Sequence, residues 1–295
     1  MVMIMTTSMT SNNFAVFILT HGRPDNIITY HTLLNAGYDG KIYLLIDDLD
    51  PTKQEYINTY GDKVVVFSKK EYADTFDIAD NFNTMRGVVY ARNALFDVAK
   101  KLGIKYFIAL DDDYTGFYYR FSEDKKFILC TSKILRGINK VFKALLEFLI
   151  TANVDSIAIA QNGDFIGGIN GNYAKKIFLS RKCMNLFVCS TERPFQFVGR
   201  INEDVNTYTY KASIGLKMFT INYLSLKQTI TQTSAGGMTD LYLDYGTYVK
   251  SFYSVIFMPS SVKVEMLNST HKRLHHSVKW RYTVPKILSE DLKKQ

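Results

Sequence analysis

No run in this sequence of 295 residues stays apolar for the roughly 20 positions that a membrane-crossing helix requires. Cysteine is scarce. Cys130, Cys183 and Cys189 form an odd, widely spaced set that fits neither a disulfide framework nor a zinc site, and a reducing cytoplasm is the compartment they suit. Residues 1–13 have no basic start and no sustained apolar run, which reads as a disordered leader rather than a signal peptide. There is no glycine-rich loop ending in Gly-Lys-Ser/Thr, which excludes a P-loop kinase or ATPase. Cys-x-x-Cys, His-Glu-x-x-His and Gly-x-Ser-x-Gly are also missing, so zinc hydrolase and serine esterase chemistry lose their usual markers. Neither a repeat nor a low-complexity linker divides the chain.

What is present is an ordinary globular composition, 47% hydrophobic and 22% charged, long enough to bury a full core. The 20 Tyr and 20 Phe are many for this length; most fill the core, and some are available for stacking. The net charge of +8 is uneven, with eight Lys or Arg against three Asp or Glu in residues 262–295. That asymmetry fits a polyanionic partner, nucleic acid first, or a solvated basic tail.

The first half alternates apolar runs with helical patterns, the signature of an α/β domain with a mainly parallel sheet. Strands are predicted at 14–20, 41–46, 64–67, 106–110 and 156–160, and helices at 30–36, 86–102 and 133–152. Beyond Gly163 the pattern is less regular, with Gly167, Gly168, Gly171, Gly199, Gly236 and Gly237 marking turns. The predicted organisation is a leader 1–13, one domain 14–287 made of a donor-binding half 14–160 and an acceptor half 161–287, and a tail 288–295.

Ligands of open α/β sheets bind beyond the carboxyl ends of the strands, so the residues just after each predicted strand carry the candidate chemistry. Asp111, Asp112 and Asp113 follow an apolar strand directly. Strand alternation puts Asp111 and Asp113 on one face, where they can hold Mg²⁺ or Mn²⁺. The first strand delivers Thr20, His21, Gly22 and Arg23, with the glycine allowing close backbone approach and the arginine neutralising a diphosphate. The second delivers Asp47 and Asp48, acceptors for base or ribose hydroxyls. Arg86 is placed at the start of a helix to reach phosphate or brace the aspartates, with Arg92 off to one side. Glu203 and Asp204 read either as a general base or as acids at a helix N-terminus. His271, His275 and His276 lie in a basic stretch; on a helix, His271 and His275 would share a face. Lys272, Arg273, Lys279 and Arg281 there suit phosphate, and Trp280 suits stacked bases.

Taken in order, Thr20-His21-Gly22-Arg23-Pro24, the helix with Arg86 and Ala91-Arg92-Asn93, Asp111-x-Asp113 and Glu203-Asp204 resemble the GT-A glycosyltransferases. More narrowly, the chain is similar to the TET-associated and phage-type glycosyltransferases that add sugars to hydroxymethylated bases in DNA. The resemblance implies a GT-A fold and a nucleotide-diphosphate sugar donor, usually a UDP-sugar, contacted by Thr20, His21, Gly22, Arg23, Asp47, Asp48, Arg86, Asp111 and Asp112. It further implies a divalent metal at Asp111 and Asp113, with His276 as the late ligand among three competing histidines. Glu203-Asp204 would supply the base, with Asp204 foremost, and double-stranded DNA in the cytoplasm of an infected host would be the acceptor. A GT-A enzyme with a protein or glycan acceptor, a sugar-phosphate nucleotidyltransferase and a non-catalytic DNA-binding module are the competing readings.

Overall fold

Six consecutive apolar residues build β1 (Phe14–Leu19), and all six are buried. Phe14, Val16 and Ile18 face one side of the sheet and Ala15, Phe17 and Leu19 the other, as strand alternation dictates. A strand covered on both faces needs such an unbroken run, and each side chain buried there contributes about 1.5–3 kcal/mol. The computed structural model describes residues 13–121, 133–165, 177–179, 181–229, 238–246, 248–268 and 272–283. The predicted leader up to residue 12, the predicted tail and Cys130 fall outside these, as do the glycines at 167, 168, 171, 236 and 237. Among the described residues no helix is long and apolar enough to cross a membrane.

β1 is followed by α1 (Ile28–Asn35), β2 (Ile42–Asp47), α2 (Lys53–Tyr60), β3 (Val64–Phe67), α3 (Val89–Lys101) and β4 (Tyr106–Asp111). Strands β3, β2, β1 and β4 pair in parallel, the half of the sheet that the sequence alternation anticipates. Next come β5 (Tyr114–Tyr119), α4 (Ile138–Thr151), β6 (Ser156–Gln161), β7 (Ile177–Phe178), β8 (Leu186–Ser190), α5 (Glu203–Ser213) and β9 (Met218–Gln228). The sheet order is β3-β2-β1-β4-β8-β6-β9-β5, with β7 also on β9. β8 enters antiparallel to β4, so the sheet is mixed beyond its parallel half. Residues of α1 and α4 fill one face, and residues of α3 and α5 the other.

Two predicted helices begin later than their apolar stripes imply. Gly87 has φ +128° and packs against the Arg200 backbone, so the chain reaches Arg86 in a non-helical conformation and α3 starts at Val89. Gly137, at φ +75°, likewise delays α4 to Ile138, and Phe142 rather than Val141 joins its fully buried stripe.

The chain ends in α6 (Met238–Tyr245), α7 (Val249–Phe257) and the antiparallel hairpin β10 (Val262–Asn268) and β11 (Lys272–Val278). His275 and His276 therefore lie in a strand, so the condition under which His271 and His275 would share a helical face is not met at His275; His271 is outside the described residues. Arg200, 1% exposed, fastens this C-terminal part to the segment before α3. Its guanidinium pairs with Asp80 and donates to the backbone carbonyls of Thr84 and Arg86, while the Tyr253 hydroxyl donates to the same Asp80.

Candidate active site

The carboxyl ends of β1, β2, β3 and β4 open into a cleft of about 850 Å³, closed on its far side by the start of α5 and by α6 and α7. Thr20, His21, Gly22, Arg23, Asp47 and Asp111 to Asp113 all line it, as does the pair Glu203 and Asp204. Residues from strands far apart in sequence thus meet where an open α/β sheet binds its ligands.

After β1 the chain turns sharply, with Gly22 at φ +69°. No protein atom beyond its chain neighbours lies within 4 Å of where a side chain would begin, and the positive φ is one that glycine adopts without strain. Thr20 Oγ1 donates to Asp112 Oδ2 at 2.7 Å and Arg23 Nη1 to Asp112 Oδ1 at 3.2 Å. Asp112 is therefore a buried fastener between the two loops rather than a free donor contact. Burial raises its pKa, and Arg23 and Thr20 work the other way.

His21 Nδ1 meets Asp47 Oδ2 at 2.8 Å, and Lys69 Nζ reaches the same oxygen at 2.9 Å. Asp47 is held below the ordinary carboxylate value because these partners outweigh the effect of burial. Asp48 turns away and accepts the Lys69 backbone N–H at 2.9 Å, so it is not part of the cleft wall and its expected nucleotide contact is corrected. Lys69, buried two residues beyond β3, takes a place at the rim that the sequence reading gave to no residue.

The hydrogen bond to Asp47 raises the pKa of His21 above 6.5, against the effect of its partial burial. A raised folded-state value means the imidazolium stabilises the rim fully below about pH 6.5 and ceases to do so as pH rises through that folded value. Melting temperatures of the wild type and His21→Gln, compared from about pH 5.5 to about pH 9, are expected to differ most at the acid end and to converge above the folded pKa. A gap independent of pH would remove the imidazolium from the account.

Arg92, not Arg86, braces the acids. It is 4% exposed, donating from Nε to Glu203 Oε1 and from Nη2 to Asp111 Oδ1, both at 2.9 Å. Its ring neighbours are Phe187 and Phe197. Burial opposes the Arg92 charge, but Asp111 and Glu203 outweigh it and hold the pKa above the ordinary arginine value. Arg86 precedes the helix, is exposed, and pairs with Asp244 at 2.5 Å, although it still borders the cleft.

Asp111 also accepts from the Tyr114 hydroxyl at 3.2 Å, and Asp113 Oδ2 accepts from Thr229 Oγ1 at 2.8 Å. Burial and the Asp111 charge push the Asp113 carboxyl up to about 6. Two crowded carboxylates with open lone pairs on a cleft form a donor set that fits a hard divalent cation. Among the described residues no three His, Cys, Asp or Glu side chains converge into a cage for a metal ion. His276 Nδ1 lies 3.3 Å from Asn202 Nδ2, and it is Asn202 that lines the cleft there, so the structure does not bring His276 to the two aspartates. Burial, then His275 and Lys250, lower the His276 pKa to about 3.

The opposite wall begins at Asn202, whose φ of +63° sets the entry to α5. Glu203 is buried and committed to Arg92; burial raises its pKa and the arginine opposes the rise. Asp204 Oδ1 accepts the Val205 N–H at 2.7 Å, and burial raises its pKa also. Lys250 on α7 borders the same wall above the Tyr242 ring, with its pKa lowered by burial and then by Arg273.

Of the basic C-terminal candidates, Lys272, Arg273, Lys279 and Arg281 are exposed on the hairpin and the turn after it. Trp280 is different: it stacks on Tyr208 with centroids 5.5 Å apart and packs against the core, so its ring is not a free platform for bases.

The sequence profile of the TET-associated glycosyltransferases matches residues 14–237. A search of curated proteins finds no match. Among solved structures, glucosyl-3-phosphoglycerate synthase from Mycobacterium tuberculosis in complex with Mg²⁺ and UDP is similar at 10% identity and a TM-score of 0.43, over 92% of each chain. The same enzyme with Mn²⁺, UDP-glucose and phosphoglyceric acid gives 10% and 0.40, over 88% of this chain and 89% of that one. TarS of S. aureus gives 13% and 0.40, over 82% of this chain and 65% of that one. At such identities and TM-scores the likeness is one of coarse chain layout. The profile, in contrast, spans β1, the three aspartates, Arg92 and the Glu203-Asp204 pair, the residues that the fold gathers around one cleft. The chain belongs to the TET-associated glycosyltransferase family, and it is a glycosyltransferase.

Proposed function

We propose that the chain is a GT-A enzyme that transfers a sugar from a UDP-sugar to the hydroxyl of a hydroxymethylated pyrimidine in phage DNA, with inversion at the anomeric carbon. The observation that carries this reading is Arg92, which joins Asp111 on the sheet side to Glu203 on the α5 side across one cleft. A cleft of about 850 Å³ accommodates a nucleotide sugar but not a duplex, so the acceptor base would have to enter extruded from its stack.

Asp111 and Asp113 would hold Mn²⁺ or Mg²⁺, and the cation when bound supplies positive charge opposite the leaving diphosphate. Arg23 and Lys69 add fixed positive charge at the β1 and β3 ends of the cleft. Glu203 is occupied by Arg92, which leaves Asp204 to take the proton of the acceptor hydroxyl as its oxygen attacks the anomeric carbon. The bond from that carbon to the diphosphate breaks as the new one forms. The exposed Lys272, Arg273, Lys279 and Arg281 suit contacts with DNA phosphates beside the cleft. The family's name and this basic edge support the DNA acceptor.

The test is incubation with Mn²⁺, a panel of nucleotide sugars and hydroxymethylated DNA, followed by digestion and mass spectrometry of the nucleosides. A hexose or pentose mass gain on one base is the expected result. Donor turnover that is lost in Asp113→Ala, without a mass gain on any DNA, would keep the sugar donor and remove the DNA acceptor.

A further inference from the structure

Three buried donors in the cleft wall lack a hydrogen-bond partner among the described residues: Arg23 Nε, Arg92 Nη1 and Asn185 Nδ2. A buried amide without a partner is destabilising, so a protein keeps one chiefly where a ligand completes it. The two arginines are fixed through their other nitrogens, Arg23 on Asp112 and Arg92 on Asp111 and Glu203. Asn185 has no such duty.

β4 and β8 run antiparallel from Tyr106 opposite Ser190 to Leu110 opposite Leu186, and Asn185 and Asp111 are the next residues at that end of the ladder. Phe187, two residues further on, lies 5.1 Å from the Arg92 guanidinium. Asn185 is 6% exposed with φ +73°, a conformation that asparagine tolerates better than most residues. It lines the cleft that Asp111 and Arg92 also line, with an amide that both donates and accepts.

A group of that kind complements a sugar hydroxyl, which also does both, whereas a diphosphate accepts only. We infer that Asn185 reads one hydroxyl of the transferred sugar and so helps to set which donor is used. This rests on the sugar-transfer reading above. Asn185 is a specificity residue in this account; it moves no proton and holds no metal.

Because φ is positive, alanine would strain the backbone, so the informative variants are Asn185→Gly, which keeps the conformation and removes the amide, and Asn185→Asp, which replaces the donor by a charged acceptor. The substrates are whichever of UDP-glucose, UDP-galactose and UDP-xylose the wild type turns over, together with its monodeoxy analogues. Wild type should discriminate against one analogue, and Asn185→Gly should lose that discrimination and fall about 3- to 10-fold in kcat/KM on the full donor. Affinity for UDP with Mn²⁺, read by calorimetry, should stay within about twofold of wild type, since the inference assigns the amide to the sugar and not to the nucleotide. Wild-type turnover with unchanged discrimination in both variants would overturn the inference alone. No turnover of any sugar donor by the wild type would overturn the functional reading beneath it, and the inference with it.

Discussion

Asp204→Asn should bind UDP with Mn²⁺ as the wild type does and transfer sugar about 10²- to 10⁴-fold more slowly. The amide matches the carboxylate in size and can still accept the Val205 N–H, so the entry to α5 is preserved. What disappears is the carboxylate proposed to accept the proton. Steady-state rates at saturating donor, with UDP affinity measured separately, separate chemistry from binding. Transfer within about tenfold of wild type would move the base elsewhere, since general-base catalysis is worth at least that much. Glu203→Gln supplies the contrast. Glu203 accepts a charge-assisted bond from Arg92 in a buried position, and its loss should register in stability before it registers in chemistry.

Arg92→Met should destabilise the protein by about 3–5 kcal/mol, because it leaves Glu203 buried without its partner and frees Asp111. At about 2–4 °C per kcal/mol this is a fall in Tm on the order of 10 °C by circular dichroism. The double variant Arg92→Met with Glu203→Met should recover part of the loss, since replacing a whole buried ion pair by apolar groups costs far less than breaking it. A single variant that melts within about 2 °C of wild type would show the arginine to be dispensable for folding. Donor affinity should fall as well, because Asp111 loses the hydrogen bond that aims its carboxylate into the cleft.

Much of this arrangement was legible in the sequence, for local reasons. β1 and β4 are unbroken apolar runs followed directly by polar residues, so both the strands and the rim could be read together. The α3 stripe was equally plain, yet it could not tell Arg86 from Arg92. That choice is made by Glu203, 111 residues later, and by Gly87, whose backbone conformation ends the helix. Asp112 looked like its neighbours until Thr20 and Arg23 came to claim it. β9 was hidden because Thr220, Asn222 and Ser225 are polar and buried, which breaks the apolar pattern that marks a strand. Trp280 lies among cations in sequence and against Tyr208 in space, a contact that no local pattern announces.

Asp113 is anchored by Thr229, which follows it by 116 residues, and Asp111 is aimed by an arginine that also needs Glu203. A ribosome adding about 5–20 residues per second would therefore release β1 to β4 several seconds before the side chains that finish the cleft exist. Cutting the chain near residue 160 would leave the aspartates without Thr229 and Arg92 without Glu203. The nascent protein becomes competent for its donor late and all at once, when α5 and β9 close over acids that were made first.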